Sequence, residues 1–126
     1  MLGILSAKHR LWFFLWCAIV LLIYFLPGNQ IKVSGWLSGL YFDKIVHFLL
    51  FFIWFTLYFF SRSIKEWEAG FRPAVAFMLF VFLGAFLEIL QSKISIGRSF
   101  DLMDIAANYS GGCLGYLNGK NRFKIA

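Results

Sequence analysis

His47 stands four residues after Asp43 and three after Lys44. On a helix, that spacing puts an imidazole, a carboxylate and an ammonium on one face. Glu88 and Gln91 are three apart, and Asp101, Asp104 and Asn108 follow an i, i+3, i+7 pattern, with Arg98 just ahead of them. An imidazole and a carboxylate brought together can move a proton, and a guanidinium beside them can hold a phosphate or carboxylate. His47, Glu88 and Asp104 are therefore the candidate acid–base groups. Asp43, Lys44, Gln91, Arg98, Asp101 and Asn108 are the candidate ligand-binding groups. His47, Glu88, Asp101 and Asp104 also offer a divalent ion one nitrogen and several oxygens. No HExxH or other compact ligand signature accompanies them, so the sequence assigns no metal ligands and names no cofactor. Nor is there a nucleophilic serine or cysteine motif.

Each residue has a plainer use. Asp43 would serve as the N-cap of a helix, and Lys44 could snorkel to a membrane surface. Asp101 and Asp104 would be an N-cap and a first-turn acid, both favoured by the helix dipole. Asn108 would suit an interhelical hydrogen bond. His47 lies a turn deeper than capping explains. Glu88 precedes the end of its apolar run, where solvation is poor.

The elements that carry these groups are apolar. Of 126 residues, 61% are hydrophobic, 21% aromatic and 14% charged, and Phe alone occurs 17 times. Mean hydropathy is +0.77. A soluble domain of this length could not hide so much apolar surface, whereas a bilayer solvates it. Four apolar runs follow: 11–26, 45–60, 74–90 and 102–117. Each is slightly short of the roughly 20 residues that cross a bilayer core, and flanking Trp, Tyr, Lys and Arg extend them. The fourth is the least apolar. The expected fold is an all-α membrane protein, a four-transmembrane-helix bundle forming a single domain over 1–126. The first run shows no small-x-small cleavage site and is expected to remain as a span. Cys17 and Cys113 both lie inside apolar runs and read as small packing residues.

The net charge of +6 is scattered between apolar runs, which is a topology signal and not a nucleic-acid stripe. The N-terminal segment, the second loop and the C-terminal segment together carry eight Lys and Arg, against four in the first and third loops. That excess places both termini in the cytoplasm. The polar groups then fall at the outer ends of three helices, at one level of the membrane. Trp36, Leu37, Leu40 and Tyr41 of the first loop are expected in the interface, and the second loop carries Trp67. Gly111-x-x-x-Gly115 is a small-residue pattern that lets a neighbouring helix come close, and Gly84 could do the same on the third run. Arg98 is expected to pair with at least one of Glu88, Asp101 and Asp104, since unpaired charge at that depth is costly. A pocket there should have a volume on the order of 300 Å³ or more.

Three ordered motifs, Asp43-Lys44-x-x-His47-Phe48, Glu88-x-x-Gln91 and Arg98-x-x-Asp101-x-x-Asp104-x-x-Ala107-Asn108-x-x-Gly111, resemble the VanZ-like family of small bacterial integral membrane proteins. The resemblance runs from the second apolar run to the end of the fourth. It implies a multi-pass protein of the bacterial cytoplasmic (inner) membrane. The family's namesake is associated with lowered susceptibility to teicoplanin, a glycopeptide antibiotic with a fatty chain. Membrane lipids, a lipid-linked wall precursor or a lipoglycopeptide are the partners that an outward-facing, lipid-level site would suit, and no nucleic acid is expected. The same residues would serve a membrane enzyme, a binding protein without turnover or a purely structural polar core.

Overall fold

The computed structural model describes residues 2–27, 42–62 and 72–123. Four helices and no strand occur among them: α1 (Leu2–Phe25), α2 (Phe42–Ser61), α3 (Pro73–Ile94) and α4 (Leu102–Phe123). α2, α3 and α4 contain their apolar runs and extend them, and α1 covers its run as far as Phe25 and extends it at the N-terminal end. The interface residues expected at Trp36, Leu37, Leu40, Tyr41 and Trp67 lie outside the described residues.

Local chemistry sets the helix ends. α1 stops at Phe25, two residues before Pro27, because a proline disfavours helical backbone in the residue before it. α3 begins on Pro73, whose missing N–H costs nothing in a first turn. Arg72 precedes it in extended conformation (φ −56°, ψ 144°), and its carbonyl accepts from Val75 and Ala76 N–H. α3 ends at Ile94, where Ser95 turns extended. The chain then reverses over Ser95–Arg98, closed by Arg98 N–H donating to Ser95 O at 3.3 Å. Gly97 sits in this turn at φ 77°, in the left-handed region that favours glycine. Asp101 caps α4: its Oδ1 accepts from Met103 N–H at 2.8 Å, and Asp104 lies in the first turn. Asp43, by contrast, is not an N-cap. α2 already begins at Phe42, so Asp43 is a first-turn acid, favoured by the dipole.

α2 is the central helix, packed against α1 on one side and α4 on the other. The approach of α4 is very close. A Cβ at Gly111 would lie 2.1 Å from Phe48 O, and one at Gly115 would lie 2.8 Å from Phe52 O. Gly119 continues the stripe against the Phe59 ring. Gly84 of α3 admits the Phe51 ring edge, where a Cβ would meet Cε1 at 2.9 Å. The core is aromatic, with Phe51, Trp54, Phe55 and Phe59 of α2 all buried. In a dry interior an indole N–H needs an acceptor. Trp16 therefore donates to Leu50 O at 3.0 Å, and Trp54 Nε1 lies 3.1 Å from Cys17 Sγ. Both cysteines are free.

Outside this core the surface is apolar. Phe14, Leu22, Met78, Leu79, Phe82 and Phe86 are all more than half exposed. α1, α2 and α3 are long and apolar enough to cross a bilayer. α4 has the length, but its apolar content is lower.

Candidate functional site

Polar side chains gather at one end of the bundle, where α1 and α3 finish and α2 and α4 begin. The chain has six acidic residues, and four of them lie here: Asp43, Glu88, Asp101 and Asp104. His47, Glu88, Gln91, Ser95, Asp104 and Asn108 are all buried. The apolar surroundings make every partner count, since a buried polar group without one costs several times what a made bond returns.

The outer layer centres on Lys44. Its ammonium donates to Asp43 Oδ2 at 2.9 Å, to Asp104 Oδ1 at 2.5 Å and to Asp101 Oδ2. Lys44 does not snorkel away from the bundle; it turns inward and ties the start of α2 to the start of α4. The same ammonium, helped by the Met103 N–H, holds the Asp101 carboxyl below its usual range. Asp43 is about half exposed and Asp104 is buried, so the three carboxylates differ in what Lys44 is worth to them.

The inner layer centres on His47. Tyr24 of α1 puts its hydroxyl 3.0 Å from His47 Nδ1, and Asn108 of α4 puts Oδ1 3.2 Å from the same nitrogen. Asn108 Nδ2 donates to the Tyr24 hydroxyl at 2.7 Å, which closes a three-residue ring across three helices. With Asn108 in this orientation its Oδ1 can only accept, so its contact is a hydrogen bond in the tautomer with the proton on Nδ1. Nε2 lies 3.5 Å from Asp104 Oδ2: a charged imidazole would form an ion pair there, and a neutral Nδ1–H imidazole would offer a lone pair. Gln91 and Ser95 both donate to Tyr24 O, at 3.1 and 3.2 Å, and so anchor the end of α1 to α3.

Two buried atoms lack a hydrogen-bond partner here: Glu88 Oε2 and Arg98 Nε. Glu88 Oε1 has only a long contact, 3.4 Å, from Asp101 N–H. Arg98 does not pair as expected. Among the described residues it forms no ion pair with Glu88, Asp101 or Asp104, because the shorter Lys44 on the facing helix already holds both aspartates. Arg98 instead lines a small cleft with Tyr24, Asp43, His47 and Gln91. The cleft measures about 70 Å³, well short of the expected volume. Apolar side chains, Ile23, Phe42, Val46 and Leu50, close the rest of its wall. A more open groove of about 360 Å³ runs along the α2–α4 seam past Lys44, Phe48, Met103 and Ala107.

All nine sequence candidates thus fall at one end of the bundle. His47, Glu88 and Asp104 converge, each offering a ligand-type atom within 4.8 Å of the others. Tyr24 and Ser95 are the two site residues that sequence reasoning missed. Tyr24 sits at the end of an apolar run and has no polar neighbour in sequence, so it reads as an interface aromatic. Its burial, 1% exposed, is set by tertiary packing alone.

A family model described as VanZ/LLP1 matches residues 6–120. No curated protein and no solved structure matches the chain.

Proposed function

Because the chain belongs to the VanZ/LLP1 family, we propose that it is a single-domain, four-span protein of the bacterial cytoplasmic membrane whose polar end binds the anionic head of an envelope amphiphile. Both termini are cytoplasmic in this reading, so the cluster opens at the outer leaflet. The ligand class is a lipid-linked wall precursor or a lipoglycopeptide of the teicoplanin type, whose fatty part would remain in the bilayer beside the cleft.

One observation carries the proposal. Arg98 is a cation at the cleft with a buried, unpartnered Nε, and it forms no ion pair among the described residues. A guanidinium is suited to phosphate or carboxylate, because its planar fork donates two parallel hydrogen bonds. The cleft is too small to enclose a whole amphiphile, but it can take a head group presented from the lipid side.

A purely structural polar core is the second reading. The closed Tyr24–His47–Asn108 ring and the triply bonded Lys44 favour it. The two readings part at Arg98, which a structural core would be expected to satisfy internally.

Mass spectrometry of lipid co-purified with the full chain in mild detergent tests the proposal. Enrichment of one anionic, lipid-linked species over bulk membrane is expected, with loss of that enrichment in Arg98→Gln. Bulk lipid composition in both proteins would leave the structural core as the better account.

A further inference from the structure

The pairing of charges at the inner layer is incomplete. Four carboxylates face two fixed cations, Lys44 and Arg98, and Lys44 is committed to the three aspartates. Glu88, 1% exposed, has one oxygen without any partner. His47 Nε2, which carries a lone pair in the neutral Nδ1–H tautomer, lies 3.5 Å from Asp104 Oδ2. Electron-rich atoms so placed repel unless something positive stands between them. A proton could relieve one contact, but it cannot serve an imidazole nitrogen and two carboxylates together.

We propose that His47 Nε2, Glu88 and Asp104 bind one divalent transition-metal ion of the zinc or manganese type. The distances suit it. Two ligand atoms on bonds of about 2.1 Å at a tetrahedral angle are about 3.4 Å apart. Each of the three residues offers such an atom within 4.8 Å of the other two, a spread that small side-chain rotations would close. One imidazole with two carboxylates is a donor set for zinc or manganese; calcium and magnesium favour oxygen alone.

The second layer of the site has the form such a centre needs. A ligating histidine normally donates its other N–H to a fixed acceptor, which sets the tautomer and the ring plane. Asn108 and Tyr24 do this at Nδ1. Lys44 holds Asp104 by Oδ1, leaving Oδ2 to face His47. Of the three ligands His47 also lines the 70 Å³ cleft, beside Arg98 and Gln91. A metal there and the Arg98 guanidinium would present two positive groups to one phosphate or carboxylate. The ion deepens the proposed binding site but is read out without any ligand, so the two proposals fail separately.

A second carboxylate set, Asp43, Asp101 and Asp104, also converges. Its centre is already filled by the Lys44 ammonium, which accounts for that clustering without an ion.

The test uses the full chain in detergent, stripped with chelator, equilibrated with Zn²⁺ or Mn²⁺, desalted and analysed for metal per chain. About one equivalent is expected for one of the two ions. Glu88→Gln and His47→Ala should each weaken retention by at least about tenfold, and Asn108→Ala by roughly 10- to 100-fold through the lost orientation of the imidazole. Retention of neither ion overturns the proposal. So does full retention in Glu88→Gln, or loss in Asp43→Asn with retention in Glu88→Gln, which would put the ion among the outer carboxylates. Should Glu88→Gln fail to fold, pulsed electron paramagnetic resonance of the Mn²⁺-loaded native chain decides for manganese, and X-ray absorption for zinc. A single imidazole nitrogen in the first shell is expected, and a shell without nitrogen refutes the assignment.

Discussion

The Tyr24 hydroxyl lies 3.0 Å from His47 Nδ1, and the two rings meet edge to face at 87° with centroids 5.3 Å apart. A residue from the last turn of α1 thereby helps to fix the plane of the histidine ring on α2. The backbone of the same residue is held independently, through Gln91 and Ser95.

That independence makes Tyr24→Phe informative. The ring and the α1 anchor remain, and only the hydroxyl is lost. A loss of roughly 0.5–2 kcal/mol is expected, the range of interhelical hydrogen bonds in membranes. Unfolding of the detergent-solubilised variant in rising SDS would measure it. An unchanged midpoint would mean that the hydroxyl contributes nothing to the His47–Asn108 pair.

Gly111→Ala is expected to be severe, and Gly112→Ala mild. The first Cβ would sit 2.1 Å from a backbone oxygen of α2, which cannot rotate away. The second would meet only the Phe77 ring at 3.5 Å, an ordinary contact. Forced separation of packed helices costs about 1–3 kcal/mol or more. The same SDS titration should rank the two, and equal midpoints would contradict the close α2–α4 approach.

Lys44→Met should destabilise far more than Asp43→Asn. Removing the ammonium leaves the buried Asp104 without its cation, and breaking a buried pair from one side costs about 3–5 kcal/mol. Asp43 is half exposed, where an ion pair is worth about 1 kcal/mol or less. Detergent-stable yield and thermal aggregation temperature are suitable readouts. A tolerated Lys44→Met would show that the aspartates are satisfied some other way.

Reporter fusions after Arg122 and between Ile31 and Lys32 should give opposite signals, cytoplasmic at the first and external at the second. The ground is the Lys and Arg excess of alternate segments. Matching signals would remove the basis for an outward-facing cluster.

The helices and the polar end were legible because both depend on short-range pattern. Helical spacing put His47 on the Asp43 face and Asn108 below Asp104, and the convergence followed once three segments carried such faces at corresponding ends. Gly111 and Gly115 were legible for the same reason. Partner choice was not. Lys44 and Arg98 are each a few residues from an acid in sequence, and only the α2–α4 approach decides that the lysine reaches Asp101 and Asp104 first. Cleft volume depends on how Ile23, Phe42, Val46 and Leu50 pack, and no spacing encodes that. Tyr24 lay beyond reach because its partners come from three other helices.

The glycine stripe of α4 also bears on biosynthesis. α1, α2 and α3 are each long and apolar enough to enter a bilayer without a partner helix. α4 is poorer in apolar groups, and it emerges last, when Phe48, Phe52 and Phe59 of α2 are already available to its glycines. Its lodging beside α2 is therefore expected to be a docking event more than a partitioning event. Until it docks, Lys44 and His47 wait without Asp104 and Asn108. A chain cut short before Asp101 would leave Lys44 without Asp101 and Asp104, and His47 without Asn108.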